Sequence, residues 1–492
     1  MIGLRTRWAA LLAVCLATAA CGLTPGAVNA IKGTGGTVSA GGRSGTASGV
    51  GAGSGGGAGA GAASGGAASP GAAGAGSSGA ALPAGSSGAA SGGAASGGAA
   101  AGGASGGAAS PASAGGSSNA PYERIGITAT TIHLGIHAPQ TGAAPVPLQA
   151  FAKGTKLFWE NHTLFGHQVV VDFMDDQYNP SVARSVCEQL SRQDFLVLGG
   201  AGTDQIQACA TDPVLSSTHT PYLSAGVTTN GLNGLSNYFA ITQSYAAQSP
   251  EVWTMVNQLY SGDAHKTWAI ITEQTPNFND VTSAMAQVLS QNHVSFTTIR
   301  TPKVFQQSDA DTAISRAKQG GASVVFMDVD PNFWIDLVRS ASQQLYTPDW
   351  VGPGITNGED LVAAPVCGEQ PGIKAAFLSP YPGLDKQPAS FNAQNNPAPD
   401  ADPPDRDIEM LVYGTNEAEY YMLNSLGSIN NLTRDNFLAA MPKFTANYGQ
   451  PLDVLPTINF KGGHFGGTGM WALKLSCGQA EYTTVGNAPL SS

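Results

Sequence analysis

Few side chains in this 492-residue sequence are spaced for catalysis. Gly51-Ala52-Gly53-Ser54-Gly55-Gly56 fits the G-x-G-x-x-G of a phosphate-cradling loop, and Gly103-Ala104-Ser105-Gly106-Gly107 fits the G-x-S-x-G of a serine nucleophile. Both motifs work only between a strand and a helix, which together present the backbone N–H groups or the hydroxyl. Neither has that setting, because 47 of the 50 residues from 51 to 100 are Gly, Ala or Ser. Among the histidines, His162 and His167 flank a turn, His137 ends a strand-like run and His464 lies in a late turn. No Cys, His, Asp or Glu set shows metal-ligand spacing such as C-x-x-C, and no base stands beside a nucleophile. The expectation is therefore no cofactor, no metal and no enzymatic activity.

The six cysteines divide by position. Cys15 lies in an export-type leader, where Arg5 and Arg7 precede an apolar run from Trp8 to Leu16. Thr18-Ala19-Ala20-Cys21-Gly22 resembles a bacterial lipobox, so 1–21 is read as the leader and Cys21 as the lipid attachment; secretion by cleavage after Ala17-Thr18-Ala19 is the alternative. Cys187, Cys209, Cys367 and Cys477 remain, and in an exported chain they imply disulfides with three pairings open. Cys187–Cys209 and Cys367–Cys477 are the expected pairs, since each could join neighbouring elements.

The low charged fraction of 11% hides two unlike parts. No charged residue lies between Arg43 and Glu123 and no aromatic between Trp8 and Tyr122, so 22–120 reads as a disordered Gly/Ala/Ser-rich linker with too little apolar bulk to offset the entropy of ordering. If flexible, such a tract spans about 50–60 Å, enough to tether a body away from a membrane. Four of the 22 Lys and Arg and none of the 33 Asp and Glu precede residue 121, which leaves the body at a net charge of −15. That charge repels nucleic-acid phosphates and anionic lipid, and no run of 18 apolar residues exists to span a bilayer. Membrane contact is expected only through the lipid.

Beyond residue 121 short β-rich runs alternate with longer runs of helical period. Strands are expected at 131–137, 168–173, 195–199, 221–224 and 238–242, with helices at 148–161, 181–192 and 203–212 between them. The rhythm restarts after a helix at 246–260, with strands at 267–272, 295–300, 323–328 and 349–352 and helices at 280–292, 309–319 and 333–345. A Pro- and Asn-rich stretch at 383–407 reads as an exposed excursion, followed by helices at 408–426 and 434–441 and strands at 457–460 and 469–475. Alternation of this kind gives an α/β fold of two doubly wound parallel-sheet lobes, with a ligand placed beyond the carboxyl ends of the strands.

The body resembles the leucine/isoleucine/valine-type (branched-chain amino acid) substrate-binding proteins of ABC transporters, of the type I periplasmic-binding-protein fold. The resemblance rests on Ile132–Gly142 with its Thr141-Gly142 ending, the acidic segment Asp172–Ala183, the glycine turn Val197–Thr203, the Thr-bearing loop Tyr222–Thr228, the late helices, and Asn459–His464. It implies lobes of 122–243 plus 380–455 and 244–379 plus 456–482, joined by a three-crossover hinge that closes on a small polar ligand. It also implies a monomer that hands an amino acid, amide or short peptide to an importer permease; a receptor of the same fold that signals ligand occupancy is the alternative. Ligand contacts are expected from Thr141, Thr203, Gly226, Thr228 and Tyr245. The amino-acid binders carry an acid on the loop after the strand here at 349–352, whereas this chain has Gly354 there. Asp330 is the expected replacement anion, and Asn277 stands where the family has Tyr-Gly.

Overall fold

The run Thr131–Ala138 (β1) alternates strictly: Ile132, Leu134 and Ile136 are buried in one apolar cluster, while His133, Gly135 and His137 fall on the opposite face. The chain continues through α1 (Leu148–Trp159), β2 (Gln168–Asp175), α2 (Pro180–Ser191), β3 (Val197–Gly199), α3 (Thr203–Ala210), α4 (Pro213–Ser217), β4 (Tyr222–Ser224) and β5 (Tyr238–Ala240). These five strands form one parallel sheet in the order β2-β1-β3-β4-β5. Asn179 starts α2 by accepting from the Ser181 N–H at 2.9 Å, and Pro180 occupies the first helical position, where its missing N–H costs nothing. The computed structural model describes residues 121–354, 359–394 and 405–491; the expected leader, the lipid site at Cys21 and the linker lie outside them.

A second set follows: α5 (Tyr245–Leu259), α6 (Ser261–Ala264), β6 (Trp268–Glu273), α7 (Asn279–Gln291), β7 (Phe296–Thr301), α8 (Gln307–Gln319), β8 (Val324–Asp328), α9 (Pro331–Gln343), β9 (Asp349–Gly352), α10 (Asp360–Glu369) and β10 (Lys374–Ser379). Every residue of β6 and β8 is buried, as expected of central parallel strands covered on both faces. The chain then returns to the first lobe through α11 (Ala389–Gln394), α12 (Arg406–Asn424), α13 (Arg434–Ala440), β11 (Thr445–Tyr448), β12 (Pro451–Leu452) and β13 (Ile458–Asn459). It finishes in the second lobe with β14 (Met470–Ser476) and β15 (Glu481–Leu490). The excursion expected at 383–407 is not wholly exposed, because Phe391 is fully buried against Tyr413.

Three expectations change. The second sheet, in the order β15-β14-β10-β9-β8-β6-β7, is mixed rather than parallel, since β14 runs antiparallel to β10 and β15 antiparallel to β14. The short link between β14 and β15 can close only an antiparallel hairpin. The second lobe also continues past residue 482, which falls inside β15. Finally, 456–467 belongs to the first lobe: β13 pairs with β11, and Phe460 stacks edge-on to Phe239 at 5.2 Å in that lobe's core. The alternating Ile458 and Phe460 need an apolar partner face, and the first lobe supplies it.

The first and third crossings between lobes lie against each other. A Cβ on Gly226 would sit 2.2 Å from the Gln243 carbonyl oxygen, and one on Gly467 would sit 2.3 Å from the Gln243 nitrogen. The first crossing is thus packed between glycine backbones, a contact any side chain would break. Cys187 of α2 is joined to Cys209 of α3, and Cys367 of α10 to Cys477 in the β14–β15 turn.

Candidate functional site

The carboxyl ends of the strands in the two lobes carry loops that meet across the cleft, and the cleft is closed. Asp280, in the first turn of α7, accepts from the Thr229 N–H at 2.7 Å, the Thr229 hydroxyl at 2.9 Å and the Thr228 hydroxyl at 3.1 Å. Asn230 donates to Asn277 Oδ1 at 2.7 Å, and Asn277 donates onward to Asp204 Oδ1 at 2.6 Å. Thr275 donates to the same Asp204 oxygen at 3.2 Å, and Lys303 pairs with its other oxygen. The Lys303 ammonium also stands over the Tyr178 ring, 5.2 Å from its centre. At the mouth, the Asn332 side chain donates to the Ala143 carbonyl at 3.1 Å.

Behind this latch the lining is acidic and aromatic. Glu273 ends β6 and Asp330 starts α9, and both are buried. Glu273 Oε1 accepts from the Asp330 N–H at 3.1 Å; burial first, and then the negative charge of Asp330, push the Glu273 carboxyl up to about 8. Asp330 Oδ1 caps α9 through the Asn332 N–H at 2.8 Å, while Oδ2 is buried with no hydrogen-bond partner among the described residues. Burial raises Asp330 to about 6, against the opposing effect of its helix-end N–H bonds and Lys303. Tyr178, held at a positive φ of 53° within the acidic segment, has its hydroxyl driven well above its ordinary value by burial and by Glu273, Asp330 and Asp204. Such a wall offers acceptors to a ligand's N–H or O–H donors and an aromatic surface to its apolar part.

The expected ligand residues fall into distinct places. Thr228, Asn277 and Asp330 reach the lobe interface, with Thr228 and Asn277 engaged in bonds across it. Thr203 is the buried first residue of α3, behind Gly202 at φ 87°. Tyr245 opens α5 with its N–H on the Val227 carbonyl at 3.0 Å, and its ring covers Gly354. Gly226 is taken up by hinge packing, with its N–H on Thr242 Oγ1 at 2.7 Å. Thr141 is exposed and tied to Asp175 Oδ2 at 2.7 Å.

Sequence reasoning passed over Tyr178, Asp204, Glu273 and Lys303. The one legible signal was Glu273, a charge that closes an otherwise apolar strand. At Gly354 the missing acid has a steric reason. The residue sits at φ 73°, and a Cβ there would lie 2.3 Å from Tyr245 Cε1.

A family model for periplasmic binding proteins matches residues 131–479. The chain belongs to the periplasmic binding protein family. No curated protein matches it. Among solved structures it is similar to a fatty acid ABC transporter substrate-binding protein from Thermomonospora curvata, at 15% identity and a TM-score of 0.63 over 75% of this chain and 95% of that one. A branched chain amino acid ABC transporter protein from Thermus thermophilus with bound valine aligns at 14% identity and 0.58, over 74% and 97%. A solute binding protein of an ABC transporter from Rhodopseudomonas palustris BisB5, in complex with 3,4-dihydroxy benzoic acid, aligns at 15% and 0.59, over 74% and 98%. This family's fold is the two-lobed type I arrangement described above, and membership carries a solute-binding role outside the cytoplasm. None of the described helices is long and apolar enough to cross a membrane.

Proposed function

We propose that this protein captures a small polar ligand (an amino acid, amide or short peptide) between its lobes and delivers it to an ABC importer. It acts as a monomer, held to the membrane by lipid at Cys21 and set off from it by the linker. The observation that carries this reading is the paired lobe surfaces, latched by Asp204, Asn277, Asp280 and Lys303 around the buried acids Glu273 and Asp330. Because Gly354 leaves no acid at the family's usual place, the donors of the ligand turn instead toward Glu273 and Asp330.

Thermal denaturation of the purified body against amino acids, amides and short peptides tests this. One class raises the melting temperature by mass action, and native mass spectrometry gives one ligand per chain. No shift across the panel, with nothing retained in the spectrum, sinks the proposal.

A further inference from the structure

A second polar cluster lies on the α2-facing side of the first sheet, toward the amino end of β1 and away from the cleft. His133 Nδ1 on β1 is 2.8 Å from Asp172 Oδ2 on β2. On the other side of β1, Asp194 precedes β3, and its carboxylate fills the space over Gly135, where a Cβ would stand 2.9 Å from Oδ2. One ligand atom from each of His133, Asp172 and Asp194 lies within 4.8 Å of the others. Asp194 is fully buried, and neither carboxylate oxygen has a hydrogen-bond partner among the described residues. The Gln193 side chain stands near without reaching bonding geometry, and Arg434 spends its guanidinium on the carbonyls of Ser191, Asp194, Phe195 and Thr218. Burial and the neighbouring Asp172 carboxyl favour the neutral form of Asp194, so its ionised form calls for a positive partner that Arg434 does not supply.

We propose that His133, Asp172 and Asp194 form a divalent-cation site that takes Zn2+ or Mn2+ and ties together the first three strands of this lobe. One imidazole and two carboxylates suit these borderline and harder transition ions, with water completing the shell. Entry is open, since the side chains of His133 and Asp172 are 32% and 36% exposed. The comparison within the same sheet face is instructive. His137 pairs with Asp176 at 2.8 Å and with the Tyr222 hydroxyl at 2.7 Å, all fully buried, so that histidine is closed and satisfied. Of the two β1 histidines, His133 is the one that stands beside an unsatisfied carboxylate, Asp194, with a route to solvent.

The test uses the full chain, stripped with a chelator and titrated with Zn2+ or Mn2+ alone. Calorimetry gives one ion per chain, and the melting temperature rises with metal. Asp194→Asn keeps the shape without the charge; it folds with unchanged or higher melting temperature in chelator and loses at least tenfold in metal affinity. His133→Gln loses affinity likewise and serves if the Asp194 variant fails to fold. His219→Ala leaves binding unchanged. Absence of heat and of any melting shift with both ions overturns the site. So does wild-type binding by His133→Gln, or loss of binding only in His219→Ala, which would place the ion at Glu123, His219 and Asp435.

Discussion

Glu273 and Gly354 set the chemistry of the cleft at single positions. A buried carboxyl raised to about 8 is mostly protonated at neutral pH. An amine-bearing ligand needs the ionised form, so its affinity rises as pH climbs from about 6 toward 8 and Glu273 gives up its proton. Isothermal titration across that range reads the slope, and Glu273→Gln flattens it and weakens amine ligands at least tenfold while sparing neutral amides. A pH-independent affinity for an amine would remove Glu273 from the site. Gly354→Ala forces an L side chain into a left-handed backbone and against Tyr245, at a cost of about 1–2 kcal/mol for the backbone alone. Urea denaturation measures it, and a double-mutant cycle with Tyr245→Ala recovers the steric part.

At the scale of elements, the latch between α3 and the loops after β6 and β7 governs closure. Lys303→Ala removes an ion pair and a cation–ring contact together, and Asp204 then keeps only its neutral donors. In ligand-free protein the population shifts toward an open cleft, seen as a larger radius of gyration by small-angle scattering. An unchanged radius assigns closure to the hinge instead. The Cys367–Cys477 bridge spans 110 residues and fixes α10 to the β14–β15 turn. Replacing both cysteines by serine costs about 2–4 kcal/mol in chemical denaturation, because a long loop is freed in the unfolded chain.

The whole molecule is acidic inside as well as outside. Burial raises Glu273 and Glu419 to about 8, Glu417 to about 7 and Asp330 to about 6, against roughly 4 in an unfolded chain. Between those limits the folded protein holds protons that the unfolded chain has released. Stability therefore falls as pH rises from about 4 to about 8, and levels off above. Melting temperatures taken every half unit from pH 5 to 9 show that decline; a maximum near pH 8 contradicts it.

The order and kind of the elements were legible because side-chain periods of two and of 3.6 are local properties. The alternation in β1, the Asn179-Pro180 start of α2 and the apolar runs of β6 and β8 each declare themselves within a few residues. The lobed architecture follows from that rhythm, and the Cys187–Cys209 disulfide joins helices that are neighbours in it, whereas Cys367–Cys477 spans 110 residues. What the chain order could not show is which distant positions meet. Asp204 and Lys303 are 99 residues apart, Arg434 closes on carbonyls of 191–218, and His133, Asp172 and Asp194 have no ligand spacing at all. The antiparallel β14–β15 edge and the return of β13 to the first lobe are of the same kind. Sequence by itself determined the repeating α/β chain and its division into two lobes. Strand order and register, which place residues side by side without regard to their separation, decided the latch, the buried acids of the cleft and the His133 cluster.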